Sequence, residues 1–156
     1  MNIRPLNNKE IPLLTDFLYE AIFQRKAEKK LPRTIIQEPS LWIYIDEFGK
    51  YKDDYCLVAE TENKIVGAVW VRCIKAFGHI ADNVPEFAIS MYPEYRGKGI
   101  GTKLMEEMLE YLKKQGYKSA SLAVQKDNYA VNMYTKVGFE IIDENDQEYI
   151  MIYRFI

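Results

Sequence analysis

Residues 93–103 read Pro93-Glu94-Tyr95-Arg96-Gly97-Lys98-Gly99-Ile100-Gly101-Thr102-Lys103, and this stretch decides the fold because it joins an extended apolar run to a helical pattern. A helix leaves its first backbone N–H groups unpaired, and its N-terminus carries partial positive charge. Glycines at that end let an anion approach the backbone closely. The stretch therefore predicts a pyrophosphate cradle. Its residues are Arg96, Gly97, Lys98, Gly99, Ile100, Gly101 and Thr102, with the two lysines of the stretch more peripheral.

The spacing of these glycines excludes two common phosphate loops. The P-loop pattern Gly-x-x-x-x-Gly-Lys-Ser/Thr cannot be placed on Gly97, Gly99 or Gly101. The dinucleotide fingerprint Gly-x-Gly-x-x-Gly fails as well, because Thr102 stands where its third glycine would. What remains is Arg-x-x-Gly-x-Gly, beginning at Arg96. Taken alone, this pattern is also compatible with a glycine-rich turn that merely joins a strand to a helix.

Length and composition predict one compact globular domain over residues 1–156. Hydrophobic residues make up 48% and charged residues 28%, as in an ordinary soluble protein. The net charge of −2 gives no reason to expect a nucleic acid or a membrane as a partner. Residues 1–6 lack the apolar core of a signal peptide, so we expect a cytoplasmic protein. One histidine, His79, and the isolated Cys56 and Cys73 do not form a recognisable metal-binding cluster, which predicts no metal.

Hydrophobic periodicity predicts alternating helices and strands along the chain. The predicted strands are 2–6, 55–61, 64–74, 84–92, 119–124, 139–142 and 149–155. The predicted helices are 8–24, a second one that starts at Pro39 and stops at Gly49, 100–115, and a short one that Asn128 caps and Gly138 ends. This order predicts an α/β fold with a mixed central sheet of about seven strands and helices on both faces.

A second motif lies between residues 122 and 139. There a strand is followed by an Asn at a helix start, an Ala, a Tyr and a Gly-Phe pair, namely Asn128, Ala130, Tyr134, Gly138 and Phe139. Together with the glycine loop, at this separation, the motif resembles the GNAT N-acetyltransferase superfamily. The resemblance is close over residues 55–139 and rests on element order in the N-terminal third. It implies a single-domain, GNAT-like acyl-CoA transferase fold.

The resemblance also implies an activity: transfer of an acetyl group from acetyl-CoA to an amine by direct attack in a ternary complex. In such proteins the glycine loop binds the coenzyme pyrophosphate. The strand before it, here with Ile89 and Met91, hydrogen-bonds the pantetheine arm, as does the Asn at position 128. The hydroxyl of Tyr134 is implied to reach the coenzyme sulfur as an acid. Two alternatives stay open, because Asn128 could be a helix cap and Tyr134 a core aromatic.

The strand predicted at 84–92 carries the candidate base. Glu86, Ala88 and Ser90 share one small, partly polar face, which predicts a cavity above that face. The resemblance implies that a Glu in this strand takes up the proton of the attacking amine, so Glu86 is the candidate. A carboxylate is suited to that role because it can accept the ammonium proton as the amine attacks the thioester. A surface Glu at the edge of the sheet is the alternative.

The identity of the acceptor is left open by the sequence. Acidic residues in 20–48 and 75–86, with apolar walls expected from Trp42, Tyr44 and Phe87, suit a cationic amine on a small molecule or a peptide. The basic stretch 25–33 instead suits an acceptor that bears a carboxylate. A non-catalytic acyl-CoA-binding module and a nucleotide-binding regulatory domain are the alternative functions. A homodimer is compatible with such a fold.

Overall fold

The structure is a computed structural model that describes residues 1–25 and 28–155. Lys26 and Ala27, in the basic stretch 25–33, lie outside the described residues, as does Ile156. The strands are β1 (Asn2–Pro5), β2 (Tyr55–Thr61), β3 (Lys64–Arg72), β4 (Glu86–Met91), β5 (Ser119–Gln125), β6 (Glu140–Glu144) and β7 (Glu148–Arg154). The α-helices are α1 (Leu14–Ala21), α2 (Pro39–Trp42), α3 (Ile100–Lys114) and α4 (Ala130–Val137).

The seven strands form one mixed sheet in the order β1-β2-β3-β4-β5-β7-β6. Neighbouring strands are antiparallel except β4 and β5, which are parallel and are joined by the crossover helix α3. This parallel pair is in register at a single position, Glu86 with Ser121. Beyond it the two strands make no further ladder pairs, and we call the region between their carboxyl-terminal halves the cleft.

Two clusters of buried side chains lie on opposite faces of the sheet. Helices α3 and α4 cover one face, with Leu104, Met108 and Tyr134 in its cluster. Helix α1 and the segment after α2 cover the other face of β1 to β4, where Phe17 packs with Trp70. Each fully buried side chain of this size stabilises the fold by about 1.5–3 kcal/mol. The predicted α/β fold, a seven-stranded mixed sheet with helices on both faces, is confirmed.

The first predicted helix, 8–24, is shorter than expected and has two parts. Residues Asn8–Leu13 form a 3-10 helix, and the α-helix covers Leu14–Ala21. Pro12 is the physical reason, since it has no N–H to donate and its ring clashes with the carbonyl four residues earlier. Leu14 and Leu18, four residues apart on one face of α1, are both buried.

The second predicted helix is shorter still. It starts at Pro39 as expected, but regular α-helix ends at Trp42 and irregular turns continue toward Gly49. The N–H groups of both Ile45 and Asp46 donate to the Trp42 carbonyl, so 3-10 and α-helical hydrogen bonds are already mixed there. Further on, Glu47 has a φ of 49°, which no right-handed helix accommodates.

The predicted strands are confirmed to within about two residues at each end. Strand β4 begins at Glu86 rather than at residue 84, and β3 ends at Arg72 rather than at residue 74. The predicted hairpin between β2 and β3 is present: Glu62 and Asn63 have φ angles of 51° and 63°, as a type I′ turn requires.

Candidate active site

Helix α3 begins at the glycine loop, where a row of backbone donors is left unpaired. Gly97 and Gly99 have φ angles of 75° and 84°, in the left-handed region that glycine adopts without strain. The N–H groups of residues 97–102 make no hydrogen bond within the described residues, and the first bonded amide is that of Lys103, 3.3 Å from the Gly99 carbonyl. A Cβ at Gly97 or Gly99 would point into open space. The loop can therefore receive an anion on its backbone.

The side chains of the loop contribute less than its backbone. Arg96 donates to the Glu20 carboxylate at 3.1 Å and to the Glu20 carbonyl at 3.3 Å, so its guanidinium is held by the end of α1. Lys98 is exposed, Thr102 is half-buried, and Ile100 belongs to the core. An anion on the loop would bind the backbone N–H groups first. Arg96 is next to the loop and could then leave Glu20 and pair with the anion.

Strand β4 presents backbone groups to the cleft. The Ser121 N–H donates to the Pro85 carbonyl at 2.9 Å, so Pro85 faces β5. Because backbone groups alternate between the two sides of a strand, the N–H and carbonyl of Ile89 and Met91 also point toward β5. Pairing with β5 is confined to Glu86 and Ser121, so these groups have no strand partner on that side.

Asn128 lies in the turn between β5 and α4, two residues before the helix begins. The regular α-helix begins at Ala130, and the backbone of Tyr129 before it is already helical. The prediction that Asn128 caps this helix is confirmed, because its Oδ1 accepts the Ala130 N–H at 2.9 Å. Gly138 ends the helix as predicted, with a φ of 117°.

Tyr134 is buried in the core cluster of α3 and α4. Its ring is tilted against that of Phe139, with 6.2 Å between the ring centroids, and the residue is 9% exposed. Its hydroxyl makes no hydrogen bond within the described part of the chain. Burial raises the pKa of this phenol above its ordinary value. Tyr134 therefore stays protonated at neutral pH and can donate its proton to an anion.

Glu86 is a buried carboxylate, not the surface Glu that was the alternative. It is 1% exposed. Its Oε2 accepts the Gly78 N–H at 2.9 Å and the hydroxyl of Tyr44. Its Oε1 is shielded from solvent and has no hydrogen-bond partner among the described residues. Burial raises the pKa of Glu86, and the hydrogen bonds from Tyr44 and Gly78 oppose the rise in part.

The cavity expected above Glu86, Ala88 and Ser90 is replaced by packed residues. The Ser90 hydroxyl donates to the Phe17 carbonyl at 2.6 Å, which brings α1 directly onto the strand. Tyr44 covers Glu86 in the same way. The alternation of small and large residues in β4 reflects this close approach of other elements.

Of the apolar walls expected for an acceptor, Tyr44 reaches Glu86, whereas Phe87 does not face that side. Phe87 packs in the opposite cluster, with its ring edge-on to Phe139 at 5.6 Å between centroids. The reason is the alternation of a strand, which turns neighbours to opposite faces. Trp42 donates its indole N–H to Asp46 at 3.2 Å.

Two residues near the carboxylate had no sequence signal. Gly78, in the loop between β3 and β4, donates to Glu86, and its carbonyl accepts the Ser121 hydroxyl at 2.7 Å. Glu148, at the start of β7, adds negative charge near both Glu86 and Tyr44, and burial raises its pKa.

In residues 1–25 and 28–155, no group of three or more His, Cys, Asp or Glu side chains could hold a metal ion. No helix of those residues is sufficiently long and apolar to cross a membrane.

Comparison with known proteins gives a consistent result. A family model described as the acetyltransferase (GNAT) family matches residues 19–139. An uncharacterized N-acetyltransferase of Methanocaldococcus jannaschii is 36% identical over 99 residues, which are 62% of this chain and 44% of that relative. An acetyltransferase of Pectobacterium atrosepticum is 32% identical over 91 residues, 58% of this chain and 60% of the relative. The matches thus span less than two thirds of the length of each of these relatives.

A solved structure has the same fold along almost the whole chain. It is the PaiA N-acetyltransferase of Thermoplasma acidophilum in complex with coenzyme A, which superposes with a TM-score of 0.73 and 22% identity over 98% of both chains. At this level of identity the likeness is one of fold.

Proposed function

Since the chain belongs to the acetyltransferase (GNAT) family, we propose that it transfers the acetyl group of acetyl-CoA to an amine by direct attack in a ternary complex. The observation that carries the proposal is the row of unpaired N–H groups at residues 97–102, which opens at the start of α3 beside the cleft between β4 and β5. Coenzyme A bound to a protein of the same fold supports this choice of donor.

In this proposal the coenzyme lies across the glycine loop and enters the cleft. The pyrophosphate binds the backbone N–H groups of residues 97–102, and Arg96 leaves Glu20 to join it. The pantetheine arm extends along β4, where the backbone groups of Ile89 and Met91 lack a strand partner. Asn128, in the turn between β5 and α4, approaches the same arm from the other side of the cleft.

Glu86 acts as the base. An alkyl ammonium has a pKa of about 10.4, so freeing its lone pair at pH 7 costs roughly 4–5 kcal/mol. The unpartnered Oε1 of Glu86 accepts that proton through water as the amine attacks the thioester carbon, because Tyr44 and Gly78 cover the carboxylate and keep the amine from direct contact. Burial makes Glu86 a stronger base than an exposed Glu, because it raises the pKa of the carboxyl group.

Tyr134 and the backbone of β4 stabilise the charges that follow. The tetrahedral intermediate carries negative charge on oxygen, and an N–H of Ile89 or Met91 that donates to it contributes about 3–4 kcal/mol. When the C–S bond breaks, the thiolate takes the proton of the Tyr134 hydroxyl, and the acylated nitrogen gives its second proton to the tyrosinate. The thiol has a pKa of about 8.5, below that of the phenol, so the first transfer is uphill by itself and is completed by the second one, which leaves a neutral amide.

The charges around Glu86 favour a cationic amine, on a small molecule or a peptide. Glu148 adds a second carboxylate near Glu86. The basic stretch 25–33 has fewer free positive charges for an acceptor that bears a carboxylate than its composition suggests. Arg25 pairs with Asp127 at 2.5 Å, and Arg33 pairs with Asp16.

Coenzyme binding tests the donor site through two matched glycines that flank α3. Gly99, at the start of the helix, and Gly116, just after its end, both have left-handed φ angles and open space at the Cβ position. We expect Gly99→Val and Gly116→Val to be destabilised similarly, while Gly99→Val alone loses acetyl-CoA binding by at least a hundredfold in calorimetric titration. Equal affinities in the two folded variants would rule out the loop as the donor site.

Acetyl transfer itself is tested by thiol release from acetyl-CoA with a panel of amines. We expect turnover with cationic amines and a loss of turnover in Gly99→Val. Binding of acetyl-CoA without turnover on any amine would identify a binding module instead of an enzyme.

A further inference from the structure

We propose that Tyr44 is a positioning residue for the reaction: together with Gly78 it fixes Oε2 of Glu86, so that Oε1 is the atom that receives the acceptor proton. The proposal rests on the function given above. Two donors converge on Oε2, the Tyr44 hydroxyl and the Gly78 N–H at 2.9 Å. Oε1 is equally buried and has no partner in the described chain. A buried carboxylate oxygen without a hydrogen-bond partner lowers the stability of the fold, which indicates that Oε1 is kept free for a function.

The backbone around Tyr44 is anchored on strand β3 from two sides. Trp70 donates its indole N–H to the Tyr44 carbonyl at 3.0 Å. Arg72 donates to the carbonyl of Ile43 at 2.9 Å. The phenol therefore reaches Glu86 from a fixed point, and the hydrogen bond needs little additional ordering of the chain.

Gly78 is held as firmly from the other side. Its carbonyl accepts the Ser121 hydroxyl at 2.7 Å. A Cβ on Gly78 would lie 2.8 Å from the Leu122 carbonyl carbon and 2.9 Å from the Ala123 nitrogen, so the loop lies directly against β5. This contact is possible for glycine and places its N–H at Oε2. Both donors to Glu86 are thus fixed to the sheet.

The two donors stabilise the ionised carboxylate, against the effect of burial. The other titratable groups near Glu86 are His79, whose protonated form would also favour the ionised carboxylate, and Glu148, which opposes it. Burial and the neighbouring carboxylate raise the pKa of Tyr44 itself, so its hydroxyl stays protonated and keeps donating. Removal of this hydroxyl should therefore raise the pKa of Glu86 further. A hydrogen bond to a charged group corresponds to roughly one to two pH units.

The experiment compares Tyr44→Phe with the unaltered protein by two readouts. Carbon-13 NMR titration of the Glu86 carboxyl group is expected to show its pKa one to two pH units higher in the variant. The acidic limb of kcat/KM against pH, with a small cationic amine, is expected to move by the same amount, which lowers the rate tenfold or more on that limb. Affinity for acetyl-CoA should be unchanged.

Tyr117→Phe is the matched control, because it also removes a phenol-to-carboxylate hydrogen bond, the one to Asp53. It should leave both pH readouts unchanged. Gly78→Ala is the second variant: its methyl group pushes the loop from β5 and weakens the other bond to Oε2, so it should shift the Glu86 titration in the same direction.

The proposal is overturned if the Glu86 titration in Tyr44→Phe superimposes on that of the unaltered protein. It is also overturned if the titration moves but the kinetic limb does not, because Tyr44 would then hold Glu86 without serving the reaction. Absence of turnover by the unaltered protein on every amine would instead refute the proposed function, and the catalytic role of Tyr44 with it.

Discussion

Tyr134 combines a buried ring with a hydroxyl that no described residue engages. The ring packs in the cluster under α3 and α4, next to Phe139. Its raised pKa keeps the phenol protonated at neutral pH, so the hydroxyl is available as a proton donor to a departing thiolate. Core packing and acid catalysis are therefore compatible at this residue, and one substitution separates them.

In Tyr134→Phe we expect a normal fold and a slow reaction. The ring and nearly all packing remain, and no hydrogen bond within the described chain is lost, so the melting temperature should change little. Loss of a general acid lowers kcat by about 10²–10⁴-fold, with a much smaller effect on coenzyme affinity. Steady-state kinetics next to a melting curve check this. Full activity would make Tyr134 a structural residue.

At Glu86 the sequence predicted the residue but not the hydrogen bonds that its carboxylate accepts. The residue itself was predicted from its strand, but its partners lie 42 and 8 positions away along the chain, in segments without periodic structure. Tyr44 was expected to be a flat wall, and Gly78 was not predicted to have a role. Nothing local to β4 encodes either contact, since both depend on how distant loops fold back over the sheet.

At the level of elements, a buried ion pair holds the segment after α2 against the sheet. The side chains of Arg72 on β3 and Asp54 just before β2 are 1% and 0% exposed, with two hydrogen bonds of 2.9 and 3.0 Å between them. The same Arg72 donates to the Ile43 carbonyl. The pair therefore joins β3 to the chain that carries Tyr44.

Asp54→Ala should be strongly destabilising, because it leaves a buried guanidinium without its counter-charge. Breaking such a pair from one side costs about 3–5 kcal/mol. Urea denaturation provides the measurement. Glu110→Ala is the control, since it removes an exposed pair with Lys114 at 3.7 Å and should cost less than about 1 kcal/mol. Equal midpoints for the two variants would contradict the structural role of Asp54.

Element positions could be predicted well where one pattern dominates and poorly where the chain is irregular. The periodicity of α3 is confirmed over Ile100–Lys114, one residue shorter than expected. The two N-terminal helices were predicted too long, because apolar spacing also fits 3-10 helix and turns. At Pro12 the missing N–H changes the helix type, and at Glu47 a left-handed φ stops it. These local conformations do not alter the apolar pattern, so the pattern cannot detect them.

On the scale of the whole molecule, the fold could be predicted because two motifs fix its centre. The glycine loop places a strand before α3, and the motif around Asn128 places another strand after it. A parallel pair with a crossover helix follows from these two facts. The wider order of strands, with β7 between β5 and β6, is a matter of long-range pairing that no local pattern specifies.

The single-position contact between β4 and β5 divides the sheet into two hydrogen-bonded blocks, β1 to β4 and β5 to β7. Whether the two blocks unfold together should therefore depend on the ligand that occupies the cleft between β4 and β5. In amide hydrogen exchange without ligand, we expect the N–H groups of Ile89 and Met91 to exchange rapidly. Acetyl-CoA at a hundredfold excess over its Kd should slow globally exchanging amides about a hundredfold, and these two amides more. If their exchange does not respond to the coenzyme, the two blocks are coupled by the helices alone.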